Sequence, residues 1–204
     1  MTPRATPMSP DQRRQAIVAA VVPLLIEHGR GVTTRQIAEA AGIAEGTIFR
    51  VFDSKDELVD AALVEAFRPG PLLAGIEGVD PDQPLRGRLL GLVTVMQDRF
   101  LEIFGLMRAV GLVAPPEHLD AGNDAGSWRA RAEKCILELI EPDRDQLRVP
   151  PEEVVRLLRL LTFAGSHLEI ADNHLLTPDE IVDVVLHGTC AAPARSAPNR
   201  PHGD

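Results

Sequence analysis

The sequence predicts an all-α protein, with an N-terminal three-helix helix-turn-helix domain followed by a larger C-terminal helical domain. Three observations predict it. Tyrosine is absent and no stretch alternates polar with β-branched residues between turn markers, so strand signals are scarce. Apolar residues recur instead at helical spacing along most of the chain. Helix starts are marked by hydroxyl caps with a Gln or Glu three residues on.

Taken in order, Ser9-Pro10-Asp11-Gln12 opens a first helix over about 10–28, with Ile17, Ala20, Val21 and Leu24 as its inward stripe. Pro23 within it removes one backbone bond and predicts a bend. Gly29 ends it. Thr33 with Gln36 opens a second helix over 34–41, Gly42 follows as a turn, and a third helix covers 44–51. Ser54 with Glu57 opens a fourth over 55–67, stopped by Pro69-Gly70-Pro71. Residues 10–67 therefore form the first domain, and the Pro-, Gly- and Asp-rich stretch 69–83 reads as a connection.

The second domain is expected over 84–190. Leu85, Leu89, Leu92, Val93, Met96, Phe100, Ile103, Phe104 and Met107 mark a long helix, with shorter helices near 105–113 and 126–141. A long helix is expected over 151–173, and Thr177-Pro178-Asp179-Glu180 opens a last one over 178–190. Residues 191–204 lack apolar periodicity and are expected to be a disordered tail.

Composition narrows the class. At 45% hydrophobic and 25% charged, the chain has the proportions of a soluble globular protein. Its longest uncharged apolar run, Ala16 to Ile26, is too short to span a bilayer. No apolar signal segment opens the sequence, which sets the expectation of a cytoplasmic protein without membrane partners. The net charge of −9 argues at first sight against nucleic acid. Its distribution removes the objection: residues 1–68 carry eight basic and nine acidic side chains, so the acidity lies almost wholly in 69–204. A nearly neutral small domain still binds phosphates through a local basic face.

The informative stretch runs from Thr33 to Phe52. Two short helices crossing near a right angle need small residues where they touch, and Ala38 and Ala41 supply them. Gly42 suits the positive φ of the turn. Ile37, Ile43, Ile48 and Phe52 then form a small core, which leaves Glu45, Gly46, Thr47, Phe49 and Arg50 outward. A helix offered in this way fits a major groove about 12 Å wide.

From Thr33 to Leu58 the chain resembles the N-terminal signature of the tetracycline-repressor-like (TetR) family. The shared pattern is Thr33, then Ile37-Ala38, Ala41-Gly42-Ile43, Gly46, Phe49, Phe52, Lys55 and Leu58. The resemblance covers roughly 10–67. It implies a DNA-binding regulator, not an enzyme, working as a homodimer on a palindromic double-stranded operator and released when a small hydrophobic effector binds the C-terminal domain. Thr33 and Thr34 would anchor phosphate, Arg35 reach phosphate or a base, and Thr47 touch a thymine methyl or a base edge, with Gly46 permitting close approach. Arg50 would make a charged contact to guanine or phosphate, and Lys55 a phosphate contact at the start of the fourth helix. Three positions depart from the family pattern: Phe49 replaces the usual Tyr, Val51 the usual His, and Ala44 the usual polar cap. Glu45 points a negative charge at the groove, able to accept from cytosine but repelling phosphate. Arg13 and Arg14 are supplementary backbone contacts; Arg4 reads better as part of a solvated tail.

For the C-terminal domain the residues leave two readings open. Met96, Phe100, Phe104, Met107, Trp128, Phe163 and His167 are candidates for an effector cavity or simply for core. Ala164, Gly165 and Ser166 on one helix and Ile181, Val184, Val185 and Gly188 on the next suit a four-helix dimer bundle or an intramolecular stripe. His167 and His174, seven apart, fall on one helical face, and two solvated or packed histidines are favoured over a metal pair. Cys135 and Cys190 match no metal or redox spacing. No cofactor is expected. An enzyme lacks support, since no phosphate loop, nucleophile elbow, metal cluster or triad is present. An activator and a ligand-independent helical adaptor remain as alternatives.

Overall fold

The computed structural model describes residues 9–115 and 125–189. Among them, α1 (Pro10–His28), a 3-10 turn (Gly29–Gly31), α2 (Thr34–Ala40), α3 (Glu45–Ile48) and α4 (Lys55–Ala66) form the N-terminal region. Then follow α5 (Gly70–Glu77), α6 (Leu85–Val110), α7 (Ala125–Ile140), a 3-10 segment (Glu141–Gln146), α8 (Pro151–Ser166) and α9 (Pro178–Thr189). The fold is all-α, with an N-terminal helix-turn-helix and a helical C-terminal region.

The capping signals work as chemistry. Ser9 and Gln12 bond reciprocally at the start of α1, and Thr33 and Gln36 do so at α2. Thr177 and Glu180 repeat the exchange at α9, with the Thr177 N–H donating to the carboxylate at 2.8 Å. At α4, Ser54 accepts from the Glu57 amide, but the Glu57 carboxylate reaches one residue further back, to the Asp53 N–H at 2.7 Å.

Two clusters of buried side chains hold the molecule. The first joins Ile17, Val18, Val21 and Leu25 of α1 to Ile37, Ile48, Phe52, Leu58 and Leu63, and it also takes in Leu106 and Val110 from the far end of α6. The second packs α5 to α9 around Leu89, Leu92, Val93, Ile140, Val154, Leu158, Ile181 and Val185. Each such side chain contributes about 1.5–3 kcal/mol through burial.

The two regions meet at α6. At Gly29, φ is +58° and a Cβ would lie 2.4 Å from the Ala109 carbonyl oxygen, so only glycine admits this approach. The buried Arg99 guanidinium donates to the carbonyls of Ala66 and Arg68 (2.9 Å for the latter) at the end of α4, and pairs with Glu102 at 2.7 Å.

Several element boundaries differ from the sequence expectation. The stretch 69–83 is not a plain connection: Pro71 sits in the first turn of α5, where proline is tolerated, and Ile76 is buried. α6 runs unbroken to Val110, past the break expected near 105, and stops at Gly111 in left-handed geometry, φ +73°. α8 ends at Ser166 rather than near 173, because His167 is extended and the chain doubles back until the Leu176 amide bonds the Gly165 carbonyl at 3.0 Å. His167 and His174 therefore do not share a helical face. α3 is shorter than 44–51, its last turn tightening into bonds from Arg50 to Thr47 and from Val51 to Ile48. In α1 the buried stripe is Ile17, Val18, Val21 and Leu25, with Ala20 and Leu24 half-buried, and exposed Pro23 lies inside one continuous helix. Arg4, Cys190 and the tail 191–204 lie outside the described residues.

Candidate nucleic-acid interface

α2 and α3 are set by the small core beneath them. Ile37, Ile48 and Phe52 are essentially sealed from solvent, Ala38 is buried and Ile43 half-buried. Gly42 adopts φ +65°, the value that the bend between the helices requires. On the outside, Thr33, Arg35, Ala44, Glu45, Gly46, Phe49 and Arg50 are exposed, and Thr34 and Thr47 are half-buried. Phe49, 52% exposed, is a large apolar ring left in water.

Ala44 occupies the cap of α3 without a side-chain bond. Glu45, in the first turn, compensates by placing its charge at the positive end of that helix. Its carboxylate also accepts a hydrogen bond from the Thr34 hydroxyl, which crosslinks the starts of α2 and α3.

Two cations expected to meet phosphate have partners inside the protein. Lys55 Nζ donates to the carbonyls of Arg30 (3.0 Å) and Val32 (2.9 Å), fastening the start of α4 to the turn before α2. Arg14 lies over the Phe52 ring, 4.2 Å from its centre, and donates to the Val51 carbonyl (3.3 Å) and to Glu57 (3.4 Å). Both clamp the frame on which α3 rides. Sequence reasoning missed this role because the contacts join residues 23 to 43 positions apart. Arg13, Arg35 and Arg50 are exposed.

The C-terminal candidates divide. Phe100, Phe104, Phe163 and His167 come together: Phe104 stacks on Phe100 at 5.9 Å and meets Phe163 and His167 edge-on at 5.3 and 4.8 Å. His167 Nδ1 is buried with no hydrogen-bond partner among the described residues. Met96 and Met107 are buried, and Trp128 is half-buried on α7. A groove of about 490 Å³ lies elsewhere, between α5 and α6, and none of the seven candidates lines it.

The small-residue and aliphatic stripes also divide. Ile181 and Val185 belong to the subunit's own core, and Gly165 is small because a Cβ there would stand 3.0 Å from Leu176. Buried Ser166 bonds back to the Thr162 carbonyl at 2.5 Å. Val184 (57%) and Gly188 are exposed and Ala164 is half-buried; the exposed Leu160 (48%) and Phe163 (41%) add to the apolar surface of α8. Helical periodicity alone had not separated the two faces.

Comparison with known proteins finds similarity in the N-terminal region. The family model described as "Bacterial regulatory proteins, tetR family" matches residues 17–62. YvkB of Bacillus subtilis, an uncharacterised helix-turn-helix-type transcriptional regulator, is 41% identical over 73 residues, which is 35% of this chain and 38% of YvkB. Solved structures show the fold over a greater length. A TetR transcriptional regulator from Streptomyces coelicolor has a TM-score of 0.52 at 19% identity, covering 88% of this chain and 99% of that one. A tetR-family regulatory protein from Rhodococcus gives 0.54 at 22%, covering 88% and 98%. The complex of SmeT with triclosan gives 0.54 at 21%, covering 94% and 98%.

Proposed function

We propose that this chain is a TetR-family transcriptional regulator with a DNA-binding helix-turn-helix, and that it represses transcription as a dimer bound to a palindromic operator. The exposed edge formed by Thr33, Arg35, Gly46, Phe49 and Arg50 carries the reading: two basic groups, a hydroxyl and an aromatic ring project from an otherwise sealed small core. A single helix-turn-helix spans too few base pairs for genomic specificity, so a second copy is required, with half-sites about 34–36 Å apart. Leu160, Phe163, Ala164, Val184 and Gly188 on α8 and α9 form the surface for it, as a four-helix bundle.

A small hydrophobic effector enters at the aromatic cluster of Phe100, Phe104, Phe163 and His167, where the unpartnered imidazole nitrogen offers one polar contact. SmeT, of similar fold, is solved with triclosan, which supports a small-molecule response in this chain. Phe100 and Phe104 of that cluster, Arg99 with its grip on the end of α4, and Leu106 and Val110 all lie on α6. Displacement of α6 therefore tilts the DNA-reading region, and linkage requires operator DNA to weaken effector binding by the same factor. The protein acts in the cytoplasm.

Gel-shift titration at fixed salt with duplexes from the region upstream of its gene tests the reading. Specific retention of one palindromic fragment by wild type is expected, with loss of the dimer and of retention in Leu160→Asp by sedimentation. Equal binding to all duplexes overturns operator recognition; a monomeric wild type that still binds tightly overturns the dimer.

A further inference from the structure

The hydrogen bond between Thr34 and Glu45 assigns a task to a carboxylate that otherwise works against DNA. We propose that Glu45 reads a C·G base pair in each half-site, with Thr34 as the residue that positions it; this rests on the DNA-binding reading above.

Glu45 is exposed and lies in the first turn of α3, the helix offered to the major groove. A carboxylate there has no attraction for phosphate, so it is an obstacle unless it meets a donor. In the major groove, donors are the amino groups of cytosine N4 and adenine N6. Adenine places its N7 acceptor beside the amino group, and a carboxylate repels that lone pair. Cytosine N4 has no such acceptor on its own base, so it is the partner a carboxylate selects.

The Thr34 hydroxyl donates to one carboxylate oxygen, Oε1, from the start of α2. That bond holds the side chain in one orientation and leaves Oε2 to accept from the base. Gly46, next along, has open space where a Cβ would stand, so nothing on that side blocks a base edge. Thr34 is thereby committed to Glu45 rather than to phosphate.

The test is selection from a random duplex library with the full-length protein, followed by affinity measurement on the selected site and its single-base variants. Wild type is expected to enrich a palindrome with C·G at one position per half-site. Glu45→Ala should lower discrimination at that position about tenfold, leaving other positions unchanged. Thr34→Val should lower discrimination there several-fold, and Thr34→Ser should restore it, a rescue that a purely structural role would not show. Circular dichroism melting on each variant verifies folding, and Glu45→Gln, which keeps the side-chain volume, is expected to move the preference from C·G toward A·T. If Glu45→Ala instead tightens binding to every duplex alike, Glu45 acts only as a repulsive charge and the inference fails while operator recognition stands. If wild type enriches no duplex, operator recognition itself fails.

Discussion

The two cores of this molecule use their polar groups differently. In the N-terminal region, long-range polar contacts fix a small frame: Arg14 across Phe52 and Lys55 across Arg30 and Val32 hold α1, α3 and α4 together, leaving the outer face of α2 and α3 for a partner. In the C-terminal region, packing of long helices carries the fold, and the large apolar side chains Leu160, Phe163, Ile170 and Val184 remain in water. One region offers charge and hydroxyls on a rigid edge, and the other offers grease on a helix face. The difference teaches that the same all-α fabric can present two chemically distinct surfaces.

The contrast breaks most severely at Phe52. Phe52→Ala should cost about 3–5 kcal/mol by urea denaturation, since it opens a cavity in the smaller core and removes the ring beneath Arg14. A loss below about 1 kcal/mol would mean that the frame does not depend on that ring. Next comes the seam between the regions. Arg99→Met should cost about 2 kcal/mol, because the carbonyls of Ala66 and Arg68 lose a charged donor, and heating should then melt the two regions in separate steps. A single transition in the variant would place the coupling elsewhere. Arg50→Ala sharpens the contrast from the other side: operator affinity should fall by about 1–3 kcal/mol in fluorescence anisotropy at fixed salt, while the melting temperature stays the same. Unchanged affinity would remove Arg50 from the interface.

The smallest effect is expected at α9. The Thr177 backbone N–H, then its hydroxyl, holds the Glu180 carboxyl below the ordinary glutamate pKa, with a lesser contribution from His174. A depressed folded pKa means that the stabilisation is complete above the unfolded value of about 4.3 and is lost as pH falls through the lowered folded value. Amide protection in the first turn of α9, taken as exchange relative to the intrinsic rate at each pH, should therefore fall on acidification in that range, and Glu180→Gln should flatten the change. A pH-independent protection factor in wild type would exclude the cap as its source.

Much of the N-terminal region was legible because its signals are local. A hydroxyl cap with its partner three residues on, or a glycine at a bend, needs no knowledge of the rest of the chain, and Ser9, Thr33 and Gly42 all behave as their neighbours dictate. The misplaced boundaries arose where a new helix opens inside a stretch that reads as a connection, as at Pro71, and where one long helix continues past the break expected near 105. The interface was legible as a surface but not as a network. The residue types Arg14, Thr34, Lys55 and Glu45 suggest contacts outward, yet three-dimensional proximity pairs them within the protein first. The inside and outside of α8 and α9 were illegible for a simpler reason. Ile181 and Val184 are both aliphatic on one amphipathic helix, and the packing of that helix against α6 and α8 decides which of them meets water.

Leu106 and Val110 give the chain a seam in sequence that is not a seam in space. An engineer who excised residues 1–67 to graft this reading head onto a foreign sensor would leave its hydrophobic centre short of two plugs. A workable chimera would carry the last two turns of α6 along, or supply substitutes for both side chains from the new host.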